Sequence, residues 1–325
     1  MDNLCHSLVG AALGKAGLAR RTTLGMSTLV IANNLPDLDV AVFATNTLAM
    51  SFRRGWTHGV LAQAALPIAL TGAMLAYDRL VVQPSTRRNA SLRPGTLQPK
   101  AKAGELLLLS YIGVLLHVFM DLMNSYGVRL LMPFSGRWFY GDALFIVDPW
   151  LYLALGIGWW LSWRRDVKGI AWPSRPARIG VALAAVYVGA MLVSNVIARG
   201  AVRDGLGRAG RPADTRFMVT PVAVNPFSRE VVVDVGDRYE KGHVWFDPLP
   251  HFRPAGFGMQ KGLDDPGVQQ ALQSPLARAF LRWSRFPFVQ VDRSTSPPTV
   301  WINDYRYANA GPYGWSAVKL TDAAR

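Results

Sequence analysis

Long apolar runs separated by short basic loops dominate the first 200 residues of the chain. Three of these runs are each close to the ~20 residues that cross a bilayer as a helix. They are GVLAQAALPIALTGAMLAY (59–77), ELLLLSYIGVLLHVFMDLM (105–123) and ARIGVALAAVYVGAMLVSNVIA (177–198). A fourth run, DPWLYLALGIGWWLSW (148–163), is shorter and carries Trp and Tyr residues that favour a membrane interface. The pattern predicts a polytopic membrane protein.

Two weaker apolar segments lie before these runs. NLCHSLVGAALGKAGLA (3–19) and TLGMSTLVIANNLPDLDVAVFA (23–44) are interrupted by polar residues, and the second also contains a proline. Counting them, we predict an α-helical membrane domain of about six segments over residues 1–199. The polar stretch 83–103 is interpreted as a flexible cytoplasmic loop between two of the segments.

From residue 200 the periodicity changes. Short β-branched, alternating runs broken by Asn-Pro and Gly-Asp predict strands and turns in RFMVTPVAVNPFSREVVVDVGDRYEKGHVWF, and later in RFPFVQVD and TVWINDYRY. Between them, GVQQALQSPLARAFLRWSRF (267–286) predicts one or two short amphipathic helices. We therefore expect a small β-rich domain with some helix over residues 200–325.

Charge gives the expected orientation. The chain carries 35 Lys and Arg against 21 Asp and Glu, a net charge of +14, yet only 17% of its residues are charged. The basic residues gather in every second loop, which the positive-inside rule assigns to the cytoplasm. In a bacterial inner membrane, the linkers 45–58 and 124–147 and the β-rich domain would then lie outside the cytoplasm. The basic residues form no stripe interleaved with aromatic residues, so nucleic acid is not an expected partner.

Cysteine and N-terminal charge add two restrictions. Cys5 is the only cysteine, which excludes an intramolecular disulfide and a Cys-based zinc site. Residues 1–20 place Asp2 first and Lys15 and Arg20 last, the reverse of the charge order in a cleavable signal peptide. We therefore expect the apolar segments themselves to direct insertion.

Histidines and aspartates, which are costly at membrane depth, recur in the predicted membrane domain. His117 and Asp121 are one helical turn apart, so both side chains can reach the same ion. On the predicted topology, seven such groups meet at the outer face of the membrane: His6, Asp37, Asp39, His58, His117, Asp121 and Asp148. Imidazoles and carboxylates together suit zinc, with manganese as the alternative divalent metal.

Most of these groups also have a purely structural interpretation. His6 can hydrogen-bond across a helix interface, and His117 with Asp121 can form a structural polar pair. Asp37 and Asp39 can cap a helix or form a turn. Four residues are interpreted as loop, cap or surface groups: Asp142, Asp148, His243 and His251.

The ordered motifs MDNLCHSLVG, NNLPDLD, RRGWTHG and LLHVFMDLMNSYGVRLLMPFSGRWFYGDALFIVDPW resemble the YdjM-like family of membrane-bound metal-dependent hydrolases over roughly residues 1–200. The same order is similar to a reduced form of the zinc-dependent phospholipase C arrangement, which acts on phosphoesters. The resemblance implies one metal held by Asp37 (or Asp39), His58, His117 and Asp121, and a second held by His6 with bridging Asp121. The later His-x-x-x-Glu ligands of the soluble enzymes are absent from the sequence, so a three-zinc cluster is not expected.

The leading hypothesis is a metal-dependent hydrolase that acts at the outer membrane face on a phosphoester or lipid-linked substrate through metal-activated water. Of Asp37 and Asp39, the one that does not bind metal would act as general base. Arg54, Arg129 or Arg137 would hold an anionic headgroup.

The expected partners are a lipid or lipid-linked small molecule, the membrane itself, and a protein docked on residues 200–325. The alternative is a non-enzymatic membrane protein, either an ion or metal transporter or a partner-binding scaffold. A transporter would place its polar site near the membrane midplane, with polar groups continuing towards the cytoplasm.

Overall fold

The computed structural model describes residues 1–45, 49–92, 98–296, 298–310 and 316–320. Contacts divide the chain into two compact units. The first, called here the helical unit, comprises Met1–Ala44 and Arg53–Leu192, and the second, the β-rich unit, comprises Thr45–Phe52 and Val193–Arg325. The roles assigned to domains 1–199 and 200–325 stay predictions.

The helices of the first 208 residues follow one another with few long connections. They are α1 (Asn3–Ala16), α2 (Gly25–Ala32), α3 (Ala49–Phe52), α4 (Val60–Tyr77), α5 (Gln83–Leu92), α6 (Ala103–Leu122), α7 (Pro149–Val167) and α8 (Arg175–Arg208). A 3-10 segment, Leu35–Ala44, follows α2 and carries the Asp-x-Asp motif.

Three described helices are long and apolar enough to cross a membrane: Val60–Asn89, Ala103–Leu122 and Arg175–Arg208. They match the three strongest predicted spans to within a residue at the N-terminus of the first and the C-terminus of the second, so the prediction of a helical membrane region is confirmed at that level. α1 has 14 residues and reaches only about 21 Å, which is less than the ~30 Å of a bilayer core. The predicted segment 23–44 is split between α2 and the 3-10 segment. The six-segment arrangement therefore stays a prediction.

The prediction that 83–103 is a loop was wrong for its first part. α4 continues through a π-helical turn, Asp78–Val82, into α5, while residues 93–97 lie outside the described residues. The Asp78 carboxylate accepts hydrogen bonds from Gln83 Nε2 at 3.1 Å and from the Ala101 amide at 3.1 Å. A helix exposed to solvent needs no apolar face. The polar sequence of α5 therefore lacks the apolar periodicity that would have predicted a helix.

Glycines let the helices of the helical unit approach closely. A Cβ at Gly113 of α6 would lie 2.3 Å from Ala32 Cβ of α2, and one at Gly10 of α1 would lie 2.8 Å from the Leu29 carbonyl. These contacts pack α2 between α1 and α6. α7 in turn contacts α1, so α1 lies in contact with both α2 and α7.

The two ends of the helical unit differ in charge. At one end, called here the basic end, Lys15 Nζ contacts Asp166 at 2.7 Å, Arg21 pairs with Glu105, and Arg178 Nε donates to the Ala16 carbonyl. The opposite end holds the C-terminal turns of α6 and the N-terminus of α7, where Asp148 accepts from the Trp150 and Leu151 amides. Asp148 is thus the predicted N-cap residue.

The β-rich unit contains two antiparallel sheets, so the prediction of a sheet-rich C-terminal region is confirmed. One sheet has the order β1 (Phe217–Pro221), β2 (Ser228–Asp234), β3 (Arg238–Phe246), β4 (Pro250–Gln260); the other has β5 (Pro287–Asp292), β6 (Thr299–Asp304), β7 (Val318–Leu320). Between them lie α9 (Pro266–Leu272) and α10 (Pro275–Trp283), which together match the predicted helical stretch 267–286 to within one residue at its start.

Alternating side chains of the first sheet fill two cores. Val219 and Val231 pack with Ala198 and Val202 of α8 on one face. Met218 and Val232 point to the other face and pack with Phe286 and Phe288. This is the period-two pattern expected of a strand that is buried on both faces.

Candidate metal centre

Three separate chain segments bring four ligand atoms together in the helical unit. Asp37 lies in the first turn of the 3-10 segment, His58 lies two residues before α4, and His117 and Asp121 lie on the last turns of α6. Each offers one atom, and the four atoms lie within 4.8 Å of one another. All four side chains are buried, with exposures of 0–5%.

The individual distances within this group, called here the four-residue cluster, are short. His58 Nε2 and His117 Nε2 are 3.2 Å apart, and Asp121 Oδ2 lies 3.2 Å from the first and 3.6 Å from the second. Asp37 Oδ1 lies 3.9 Å from His58 Nε2 and 3.8 Å from His117 Nε2. Four ligands at 2.0–2.1 Å from a tetrahedral zinc ion would be about 3.3 Å apart. The observed separations therefore fit one small divalent ion.

Hydrogen bonds fix the tautomer of both imidazoles. His117 Nδ1 lies 2.6 Å from the Asn33 carbonyl, which can only accept, so Nδ1 carries the proton. His58 Nδ1 lies 3.0 Å from Thr57 Oγ1, whose hydroxyl donates to Asp39 Oδ2 at 3.2 Å. His58 Nδ1 is therefore the donor to Thr57, and both Nε2 atoms present lone pairs. Outer hydrogen bonds of this kind are typical of metal-binding histidines.

Two lone pairs facing each other at 3.2 Å repel unless a cation lies between them. Asp37 Oδ1 is buried and has no hydrogen-bond partner among the described residues, although a buried carboxylate oxygen normally has one. Hydrogen bonds among the four residues therefore leave the Asp37 oxygen and both Nε2 lone pairs unpaired. A bound cation would accept all of these donor atoms.

Asp121 presents its second oxygen to a different group of residues. Its Oδ1 lies 3.4 Å from His6 Nε2, 3.2 Å from Arg54 Nη2, and in hydrogen-bond contact with the Met1 nitrogen. His6 stacks on His117 with ring centroids 3.8 Å apart, and neither of its ring nitrogens has a hydrogen-bond partner in the described structure. His6 therefore lies beside the four-residue cluster without being one of its four donors.

Arg54 is a buried cation beside the cluster, with 6% exposure. Burial lowers the pKa of its guanidinium, but the Asp121 and Asp37 carboxylates outweigh this effect, so the pKa lies above its ordinary value. Its ring partner is Tyr126, with the guanidinium carbon 5.0 Å from the ring centroid. Arg54 Nη1 is buried and has no hydrogen-bond partner among the described residues.

The other predicted residues lie at varying distances from the cluster. Asp39 is not among the four donors, because it accepts from the Arg54 amide at 2.7 Å and from Thr57. Arg129 donates to the Arg53 carbonyl and stacks on Trp138. Arg137 stacks on Phe139. The two remaining histidines, His243 and His251, belong to β3 and β4 of the β-rich unit.

Sequence reasoning missed several supporting residues. The Asn33 carbonyl is a backbone group, so no residue type marks it, although Asn33 stands beside the recognised NLPDLD motif. Thr57 precedes His58 in the recognised Thr-His motif, and its hydroxyl is what connects His58 to Asp39. Nothing in the sequence indicates Tyr126, because a stacking partner for Arg54 cannot be read from sequence spacing.

Comparison with known proteins gives a family match over the helical region. The model of the YdjM inner membrane protein family matches residues 1–200. The uncharacterized protein YfhP of Bacillus subtilis (strain 168) is 24% identical over 165 residues, covering 47% of this chain. The matched region spans 44% of that relative, so the chain covers less than half of its length. No solved structure gives a significant match.

Proposed function

Because this chain belongs to the YdjM inner membrane protein family, we propose that it is a membrane-bound metal-dependent hydrolase whose divalent ion is held by the four-residue cluster. The resemblance to that family is confirmed, whereas the similarity to zinc-dependent phospholipase C stays a prediction. Membership also agrees with the three apolar helices, and together they make this a membrane protein.

One observation carries the proposal. The Nε2 atoms of His58 and His117 face each other with lone pairs at 3.2 Å, while their Nδ1 atoms donate to outer groups. Asp37 Oδ1 and Asp121 Oδ2 complete the set of four donor atoms. Because neither Nε2 carries a proton, neither histidine can donate a hydrogen bond to these carboxylates. Two imidazoles and two carboxylates favour zinc, and manganese is the alternative.

The residues of the site have distinct roles in this proposal. Asp37, His58, His117 and Asp121 bind the ion, and Asp121 Oδ1 with His6 forms one side of a second position. Asp39 holds Thr57 and, through it, the ring of His58. Its hydrogen bonds favour this orienting role over the predicted role of general base.

A divalent ion bound here would supply a Lewis acid and lower the pKa of a coordinated water. Arg54 supplies a fixed positive charge next to that position, and its free Nη1 can donate to an anionic oxygen of the substrate. Both features suit a phosphoester, whose hydrolysis places negative charge on oxygen. The predicted substrate class is therefore a phosphate-bearing lipid or lipid-linked molecule.

We propose that the cluster lies at the outer face of the inner membrane and that the β-rich unit is extracytoplasmic. Three salt-bridged or hydrogen-bonded basic residues, Lys15, Arg21 and Arg178, define the opposite end of the helical unit. The positive-inside rule assigns this end to the cytoplasm. His117 and Asp121 occupy the last two turns of α6, which supports an interfacial site rather than the midplane site of a transporter.

Activity on defined lipids tests the hydrolase proposal. Detergent-purified protein loaded with zinc would be incubated with mixed micelles of phosphatidic acid, a monoester, or phosphatidylglycerol, a diester. We expect release of phosphate or of diacylglycerol from one of them, lost with EDTA, restored by zinc, and absent in His117→Ala. If zinc-loaded wild-type protein releases neither product, the proposal of a phospholipid hydrolase is wrong.

The geometry also supports a second candidate, a structural metal site. Four protein ligands are typical of structural zinc sites, whereas catalytic sites usually have three, and the four side chains are at most 5% exposed. A structural ion would stabilise folding without supporting turnover. In that case EDTA would lower the melting temperature of the helical unit, while neither lipid would be cleaved.

A further inference from the structure

An apolar cavity of about 350 Å³ lies beside the four-residue cluster within the helical unit. Its walls come from four helices and include Val9 and Leu13 of α1, Leu116 and Met120 of α6, Leu155 of α7 and Val188 of α8. The volume falls within the range of ligand pockets in proteins. We call this space the chain slot.

The chain slot and the cluster share two helices. On α6, Leu116 and Met120 alternate with the cluster residues His117 and Asp121. On α1, Val9 lies one turn beyond His6, which contacts Asp121. The slot therefore begins at the depth of the cluster, on the adjacent faces of the same helices.

From there the slot runs towards the basic end. Its lining on α8 extends from Leu192 to Val181, a distance of about 16 Å along the helix. On α1 it reaches Leu13, which lies two residues before Lys15 at the basic end. A lipid whose headgroup lay at the cluster would extend its hydrocarbon chain along this slot towards the basic end.

The shape of the slot follows from how α7 and α8 pack. Near the basic end they touch, because Gly158 and Gly180 leave no room for a side chain between the backbones. Towards the cluster end, small residues continue on α8 with Ala185 and Gly189, yet a Cβ at Gly189 would contact nothing within 4 Å. Small residues usually allow two helices to approach each other closely. At Gly189, the missing side chain instead leaves open space in the wall of the slot.

A second apolar groove, between α7 and α8, does not share this position. It is larger, at about 630 Å³, but it is lined by neither α1 nor α6, and Arg165 and Arg175 lie in its wall. It therefore has no connection with the cluster through shared helices. The chain slot, by contrast, combines apolar walls with a neighbouring site for an anion, formed by the metal donors and Arg54.

We infer that the chain slot binds the hydrocarbon chain of the substrate, which makes the substrate a lipid whose phosphate-bearing, net anionic headgroup reaches the cluster. This inference rests on the proposed function and narrows its substrate class. The charge arrangement matches such an amphiphile, with a buried cation and metal donors at one end of an uncharged slot.

Photolabelling tests the inference directly. Wild-type protein would be reconstituted in phosphatidylcholine vesicles that contain phosphatidylglycerol with a diazirine midway along one acyl chain. After illumination, mass spectrometry would locate the labelled peptides. We expect labelling concentrated on the slot residues of α1, α6 and α8, and weaker labelling when the same diazirine chain is carried by phosphatidylcholine.

Gly189 lines the slot and a Cβ there would contact nothing within 4 Å, so Gly189→Leu adds a side chain to the slot wall. Gly72→Leu on α4 is the matched control, because a Cβ at Gly72 also has nothing within 4 Å and Gly72 is not part of the slot lining. A leucine at 189 takes up space that a bound chain would otherwise fill, so labelling of the slot peptides should fall several-fold. Gly72→Leu should label as the wild type does.

Labelling unchanged by Gly189→Leu would overturn the inference, as would equal labelling by the two headgroups. The failure of the inference can be told from the failure of the proposed function. If lipid is cleaved but labelling is not specific to the slot, the inference about the slot is wrong and the proposed hydrolase stands. If labelling is specific to the slot but neither lipid is cleaved, the hydrolase proposal is wrong and the slot is a lipid-binding site.

Discussion

Asp37 and Asp39 are two residues apart in one 3-10 segment, yet their surroundings differ. Asp37 Oδ1 faces His58 Nε2 and His117 Nε2 and has no hydrogen-bond donor among the described residues. Asp39 accepts from the Arg54 amide and from Thr57. The first carboxylate is free to bind an ion, whereas the second is already engaged in orienting His58.

Substituting each aspartate by alanine should separate these roles. We expect Asp37→Ala to lose the bound ion, because it removes a ligand. Asp39→Ala should keep the ion with an affinity lower by about 10- to 100-fold, the usual effect of losing an outer hydrogen-bond partner. Competition with a chromogenic chelator measures both. Equal losses in the two variants would mean that Asp39 is itself a ligand.

Asp304 of the β-rich unit is a fully buried carboxylate that holds three segments together. It accepts from Ser284 Oγ, from the Arg285 amide at 3.0 Å, and from Arg306 Nε and Nη2 at 2.9 Å each. Burial alone raises the pKa of a carboxyl group, but the Arg306 guanidinium and the hydrogen bonds outweigh it. The pKa of Asp304 therefore lies below its ordinary value.

A depressed folded-state pKa makes the stability of this unit sensitive to acid. The contribution is fully present above the unfolded carboxyl pKa of about 3.9 and is lost as the pH falls through the folded value. After correction for the intrinsic exchange rate, which itself falls with pH, the protection of the 284–306 peptides in the full chain should decrease in this range. Asp304→Asn should destabilise the unit by about 3–5 kcal/mol at neutral pH and flatten the pH dependence. The exposed Asp264→Asn is the control, and the idea fails if both variants behave alike.

At the scale of elements, the site depends on how closely α2 approaches α6. Asn33 follows the last residue of α2, and its carbonyl accepts the hydrogen bond that His117 Nδ1 donates from α6. This approach is possible because residue 113 is glycine, where a Cβ would lie 2.3 Å from Ala32 Cβ. A packing contact one turn away therefore sets the position of a candidate metal ligand.

Gly113→Ala should disturb both packing and metal binding. Overpacking of this kind costs about 1–3 kcal/mol, and the shift of α2 should weaken the Asn33–His117 hydrogen bond and lower zinc affinity.

Gly104→Ala on the same helix is the control, because a Cβ at residue 104 would have nothing within 4 Å. It should be neutral or slightly stabilising, since alanine favours helix by about 1 kcal/mol over glycine. Melting temperature in detergent and chelator competition measure the two effects. A Gly113→Ala protein as stable as Gly104→Ala would contradict the packing argument.

At the scale of the whole molecule, orientation in the membrane decides where the site opens. The proposal puts the basic end, with α5, in the cytoplasm and the β-rich unit outside. Asn89 of α5 and Ser294 of the β-rich unit are both exposed, and Cys5 is buried. These positions allow the two sides to be labelled separately.

In a Cys5→Ser background, a membrane-impermeant maleimide should react in intact cells with Ser294→Cys and not with Asn89→Cys. Both variants should react after the membrane is permeabilised, which controls for accessibility. Labelling of Asn89→Cys in intact cells would reverse the orientation and place the cluster on the cytoplasmic side.

The sequence predicted the parts of the molecule that are set by local spacing. The pairing of His117 with Asp121 follows from helix geometry alone, and the strands β5 and β6 follow from alternation. It did not distinguish Asp37 from Asp39, because that difference depends on hydrogen bonds from Arg54 and Thr57. Nor did it predict α5, whose helix is tied to the rest of the unit by Asp78 rather than by an apolar face.

The most direct test of the central claim is the metal content of the purified protein. Wild-type protein prepared in detergent without chelators would be analysed by elemental mass spectrometry beside His117→Ala and His243→Ala, the second being a histidine of the β-rich unit. The account predicts stoichiometric zinc or manganese in the wild type and in His243→Ala, and its loss in His117→Ala. A wild-type protein free of divalent metal would contradict it.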